Sequence, residues 1–168
     1  MLLFSQSTPK KPLRGADVVP NFSTLIPVVA VALLREDGRV LMQRRRYQSF
    51  HGGLWEFPGG KVEADESPES ALLREIDEEL GIALDPAAIS PLTFASDPVL
   101  PPAPRAPHVI LLYTCTHWSG EPECREGEEI AWFDPQVVPE LEMPPLDYPL
   151  ARMLILSNKT LAKPKASS

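Results

Sequence analysis

Two cysteines in 168 residues leave little room for disulfide or thiolate chemistry. Cys115 and Cys124 lack the paired spacing of a zinc site, so both are read as reduced thiols outside the chemistry. Histidine is nearly as sparse, and His51 and His117 are read as ordinary structural or surface residues. No apolar run approaches the roughly 20 residues that a membrane-crossing helix needs. The start, Met1-Leu2-Leu3-Phe4-Ser5-Gln6, has no basic stretch ahead of its short apolar patch, so a secretory leader is not expected. A cytoplasmic protein without membrane contact is the expectation. Basic charge is also scarce. A net charge of −7 argues against gripping duplex nucleic acid on a broad cationic surface. A phosphate-bearing substrate would need metal ions to offset its charge.

What the chain does have is 43% hydrophobic residues, enough for one core but not two comfortable domains. Residues 1–26 mix Ser, Pro, Lys and Gly without periodicity and are expected to be a flexible extension. Residues 159–168 are expected to be a flexible tail, and 27–158 the domain. Within it, Val28–Leu34, Glu36-Asp37-Gly38 and Arg39–Arg44 read as strand, tight turn and strand, a hairpin. Tyr47–Gly53 reads as a polar loop, and Leu54–Phe57 as a short strand before a glycine turn at Pro58-Gly59-Gly60. Ser67 as N-cap, Pro68 at the first helical position, Glu69 in the first turn and Gly81 as C-cap predict a helix over Pro68–Leu80. Leu92–Ala95, His108–Trp118 and Ile130–Phe133 read as strands, with a proline-heavy loop at 97–107 and an acidic connection at 121–129. Leu150, Met153 and Leu154 stand at helical spacing in a second helix over Leu146–Ser157. Irregular alternation of strands and helices without a repeat predicts an α/β (α+β) sandwich.

The first helix carries the chemistry. Glu75, Glu78 and Glu79 stand at i, i+3 and i+4, which places three carboxylates on one helical face. Leu72, Leu73, Ile76 and Leu80 form the adjacent apolar face, so the helix can dock on a core and turn its glutamates to a cleft. Taken alone, such a face is also an ordinary solvated surface. Beside a glycine turn, however, it suits magnesium, which takes hard oxygen ligands and shares them with water and phosphates. Manganese is the alternative ion. Arg74 is placed to hold Glu66 or Glu75 through paired hydrogen bonds.

Gly60 to Ile82, written GKVEADESPESALLREIDEELGI, matches G-x5-E-x7-R-E-U-x-E-E-x-G-U with U apolar at every fixed position. The chain therefore resembles the Nudix hydrolase family, and its flanks, Leu54–Glu63 and Trp118–Pro122 with Arg125-Glu126-Gly127, resemble the MutT-like branch. The likeness spans roughly Val28 to Leu154. It implies a Nudix fold, a mixed β-sheet sandwiched between helices. It also implies an enzyme splitting 8-oxo-dGTP or related nucleoside triphosphates into monophosphate and pyrophosphate, a DNA-protecting sanitation of the nucleotide pool. Gly59 (carbonyl), Glu75, Glu78, Glu79 and Glu126 are the implied metal positions. Glu79, Glu78, Glu75, Glu66 and Arg74 form the expected catalytic set, with water attacking the β-phosphorus and a glutamate of the box or Glu126 taking its proton.

By the same likeness, Phe94 lines the base pocket and Asp147 reads the base. Arg45 and Lys61 flank the glycine turn as candidates for phosphate oxygens. Glu56, Phe57 and His108 complete the expected substrate-binding set. Two departures stand out. Asp147 replaces an asparagine of the best-known branch member, exchanging a donor and acceptor for an acceptor. In Arg105-Ala106-Pro107-His108, proline displaces the arginine usual at the strand start. Cytosine nucleotides, among them CTP and 5-methyl-dCTP, are therefore alternative substrates. A non-catalytic nucleotide-binding domain and an acidic protein-interaction helix are the competing classes. Monomer or weak dimer is the expected state.

Overall fold

The computed structural model describes residues 25–98 and 106–161, with side chains to Ser157. The expected N-terminal extension lies outside these residues save Leu25 and Ile26, and the expected tail lies outside them save its first helical backbone. Arg105 lies outside them too. In chain order the elements are β1 (Ile26–Leu33), β2 (Val40–Arg44), β3 (Trp55–Glu56), β4 (Gly59–Lys61), α1 (Pro68–Leu80), β5 (Ala83–Leu84), β6 (Ile89–Ser96), β7 (His108–Cys115), β8 (Trp118–Ser119), β9 (Glu129–Phe133) and α2 (Asp147–Leu161). A four-stranded sheet runs β4-β1-β7-β6, a three-stranded one β3-β2-β9, and β5 pairs with β8. β1 lies parallel to β7 and antiparallel to β4, so the larger sheet is mixed, as expected.

The unbroken apolar run of β1 has a reason: both of its faces are buried. Successive side chains of a strand point to opposite faces. Ala30 and Ala32 join a core with Leu150, Ala151 and Leu154 of α2. Val29, Val31 and Leu33 join the other core with Ala71, Leu72, Ile76 and Leu80 of α1. One strand thus separates two helices and feeds both cores.

Burial on both faces also corrects the expected hairpin. β1 and β2 are strands, but they meet only at a single Leu34–Val40 bridge, and each takes its partners elsewhere. β7 is the long-range partner that can complete β1. Three further expectations shift. The glycine turn becomes β4, pairing with β1. The strand expected over His108–Trp118 ends at Cys115, and Trp118 starts a separate pairing with β5. β6 and α2 run longer than expected. Helix α1 keeps its expected bounds, with the Ser67 hydroxyl accepting from the Ser70 N–H and Gly81 capping the C-terminus.

Candidate active site

Helix α1 and strand β4 set the site, and two glycines bring them together. Gly59 sits at φ 152, and a Cβ there would lie 2.0 Å from the Val29 carbonyl oxygen. At Gly60 a Cβ would lie 2.2 Å from the Glu75 carboxyl carbon. Only bare backbone lets β4 pass beneath the helix so closely.

The carboxylates of α1 then part company. Glu79 turns inward and accepts the Gly59 N–H at 2.9 Å. Glu75 and Glu78 turn to Arg74, whose Nη1 donates to them at 2.9 and 3.3 Å. Arg74 also donates to Glu66 at 2.6 Å and to the Lys61 carbonyl at 3.1 Å. Hydrogen bonds to Glu66 and Glu75 raise the Arg74 pKa, and Arg74 in turn lowers that of Glu66. One guanidinium therefore ties the loop before the helix, the glycine strand and the helical carboxylates together, as expected of Arg74.

Burial pushes the Glu79 carboxyl up to about 8; the charges of Glu56 and Glu75 add to this, while the Gly59 N–H and the Gln43 amide oppose it. Glu126 arrives from outside the helix. The Glu123 and Arg125 N–H groups donate to the Leu80 and Glu79 carbonyls at 2.9 Å each, clasping that segment to the C-terminus of α1. Arg125 also donates to the Asp77 carbonyl at 3.2 Å, a cation at the negative end of the helix dipole. Arg46 donates to the Glu126 carbonyl from the other side.

Two adjoining cavities result. The first, about 590 Å³, is bordered by Glu75, Glu79, Glu126, Gly59, Gly60 and Glu63, with Arg45, Arg46 and Lys61 as its cations. The second, about 600 Å³, is more apolar and is bordered by Val28, Phe57, Ile110, Pro144 and Leu146, with Phe50, His51, His108 and Asp147. Arg45, Glu56, Gly59, Gly60 and Lys61 border both, so the cavities form one two-part cleft.

Asp147 forms the buried end of the apolar half, 4% exposed, with its Oδ1 accepting the Phe57 N–H at 3.2 Å. Burial pushes its carboxyl up to about 7, with the nearby Glu56 charge adding to the shift. Arg45 Nη1 meets Glu56 Oε2 at 2.5 Å, so Arg45 is committed to the junction and not to the outer surface. Burial raises the Glu56 carboxyl and Arg45 partly offsets it.

The structure thus gathers Gly59, Glu75, Glu79 and Glu126 around the acidic half, and Arg45, Glu56, Phe57, Lys61, His108 and Asp147 around the junction and apolar half. Glu78 and Phe94 border neither cavity; Phe94 stands on β6, 68% exposed. Among the described residues no three acidic, histidine or cysteine side chains are gathered tightly enough to make a ready cage. The donors at hand are hard carboxylate and backbone oxygens, a set that fits a divalent ion sharing its coordination with water and phosphate.

Sequence reasoning missed three contributors. Gln43 is polar yet 3% exposed; it borders the acidic half, and its Oε1 has no partner among the described residues. Arg46 and Phe50 also border the cleft. The Gln43 signal was faint: a lone amide in Val40-Leu41-Met42-Gln43.

Comparison with known proteins agrees with this geometry. A family model, the NUDIX domain, matches residues 24–154. The chain is 36% identical over 133 residues to an 8-oxo-dGTP diphosphatase of Haemophilus influenzae, covering 78% of this chain and 92% of that protein. It is 57% identical over 58 residues to a CTP pyrophosphohydrolase of Escherichia coli, covering 34% of this chain and less than half, 42%, of that protein. The solution structure of the E. coli ORF135 protein superposes with a TM-score of 0.71 at 29% identity, covering 83% of this chain and 95% of that one.

Proposed function

Because this chain belongs to the NUDIX family and resembles its MutT-like hydrolases of phosphoric anhydride bonds, we propose that it is a nucleoside triphosphate pyrophosphohydrolase that clears 8-oxo-dGTP, or a related deoxynucleotide, from the nucleotide pool. The two-part cleft carries this reading: an acidic half sized for metal and phosphates opens directly into an apolar half that ends on a buried carboxyl.

Gly59 (carbonyl), Glu75, Glu79 and Glu126, which line the acidic half, would hold magnesium, or manganese in its place, and Glu78, outside the cavity, would join them by leaving Arg74. When bound, the metal neutralises phosphate charge and makes water more acidic. The rest falls to the chain. The Gly59 N–H and Gln43 hold Glu79 in its pose, and Arg74 holds Glu75. Lys61 and Arg46 stand where phosphate oxygens enter. A carboxylate oxygen of a box glutamate or of Glu126 accepts the proton of the attacking water. Attack on the β-phosphorus breaks its bond to the α–β bridging oxygen, which leaves with the monophosphate. Asp147 and Glu56 face the base, and a neutral Asp147 can donate a hydrogen bond as well as accept one.

That last feature, with the CTP pyrophosphohydrolase likeness, favours one second reading, a cytosine nucleotide substrate. Pyrophosphate release with magnesium from 8-oxo-dGTP, dGTP, dCTP, 5-methyl-dCTP, CTP and ADP-ribose tests both. The expected outcome is the highest kcat/KM for 8-oxo-dGTP. A preference for cytosine nucleotides moves the assignment to the second reading, and no turnover of any compound defeats the enzyme reading.

A further inference from the structure

The apolar half of the cleft has four aromatic side chains on its border, Phe50, His51, Phe57 and His108, and the His108 ring is paired with Asp97. Phe57 is 3% exposed and has no ring face to offer. Phe50 is 62% exposed while bordering the cavity that Asp147 also lines, so part of its ring stays accessible there. Its ring lies 3.9 Å from that of His51, tilted by 56°.

The turn that carries Phe50 is tightly built. The Ser49 N–H donates to the Arg46 carbonyl at 3.0 Å, Gly52 N–H to Ser49 at 2.9 Å, and Gly53 N–H to Arg45 at 3.0 Å. A Cβ at Gly52 would lie 2.3 Å from the Tyr47 carbonyl oxygen. His51 sits at φ 61, a left-handed conformation that costs a side-chain-bearing residue free energy and persists only where its surroundings impose it. Arg45 fastens the turn to the pocket: its Nε donates to the Phe50 carbonyl at 2.9 Å while its Nη1 holds Glu56. One guanidinium thus sets both the Phe50 backbone and the carboxylate at the junction.

We propose that Phe50, backed by His51, is the stacking wall for the nucleobase, which makes the turn at 47–53 a specificity-determining part of the pocket. The proposal rests on the nucleotide reading above. Any base presents a π-face to an aromatic ring, and a ring already held in place loses little entropy on binding. Purines, with more face to cover, gain more from Phe50 than pyrimidines do.

Nucleotide Kd, with calcium replacing magnesium, is measured by calorimetry alongside steady-state turnover for the full chain, Phe50→Ala and Phe50→Trp. Phe50→Ala is expected to weaken Kd for purine triphosphates about tenfold or more, and for pyrimidine triphosphates less. Phe50→Trp is expected to restore binding, and an exposed position should leave the melting temperature unmoved. An unchanged Kd in Phe50→Ala overturns the stacking wall whatever the turnover. A Kd that weakens in Phe50→Ala without turnover in the parent chain overturns only the hydrolase reading. No binding of any nucleotide overturns both.

Discussion

The carboxyls of half-buried Glu79 and buried Asp147 border different halves of the cleft, and desolvation raises both. Their expected responses to an amide differ. Glu79→Gln keeps shape and the Gly59 contact but removes a charge needed for metal, so kcat should fall on the order of a thousandfold with the melting temperature preserved. Retention of full activity would refute the assignment. At Asp147 the consequence is for stability. Its carboxyl rises from 3.8 to about 7 on folding, so the native state binds the proton more tightly than the unfolded chain. That contribution is fully present below the unfolded value and is lost as pH climbs through about 7. Glu56 reinforces the shift, Arg45 and the Phe57 N–H oppose it, and His108 borders the same cavity. Asp147→Asn should therefore gain stability relative to the parent between about pH 4 and pH 7, with the gap constant above, as read by urea melts across that range. At this scale the sequence was partly legible. The box glutamates announce themselves by spacing, whereas Gln43 does not, because a polar residue in a strand looks like one that faces water until the folded chain, here at Gly127, closes over it.

Helix α1 serves two masters: Leu72, Ile76 and Leu80 anchor it in the core while Glu79, on the next face, borders the cleft. Ile76→Ala should cost about 2–5 kcal/mol in urea unfolding. Because the same movement would displace Glu79 from Gly59, kcat should drop as well, even where the variant is fully folded. An unchanged kcat in folded Ile76→Ala would show that the helix is fixed by Arg74 and the segment at 123–125 alone. The helix was the most readable element because its signals are local: a serine cap, a first-turn proline and a terminal glycine within one short stretch. Strand pairing was less readable. The segments at 28–34 and 39–44 are joined by a good turn, and nothing nearby in the chain says that β1 needs a partner on each edge. Only its continuous apolar run, with no polar alternation, hints that neither face meets water. Phe94 illustrates the same difficulty: a strand assignment leaves open which face a residue takes, and the register with β7 decides it.

At the scale of the whole molecule, an acidic chain of net charge −7 confines several of its cations to one cleft. Arg45, Arg46 and Lys61 work locally, within a Debye length of their target, so added salt should affect substrate capture less than it would for a protein with a broad basic face. The sandwich rests on β1, which gives alternate side chains to the cores beneath α1 and α2. Its parallel partner, β7, lies far along the chain, with Ile26 opposite His108 and Leu33 opposite Cys115. That distance imposes a chronology. During synthesis from the N-terminus, α1 leaves the ribosome before β7 exists, and the strand it must dock on is still missing an edge. A 13-residue helix is marginal in isolation, so α1 and a working cleft become stable only once β7 has arrived. Pulsed hydrogen exchange during refolding should show the α1 and β1 amides gaining protection in the same step as those of β7. Birth of the catalytic centre and closure of the sheet would then be a single event, which leaves no half-made enzyme to grip nucleotides prematurely.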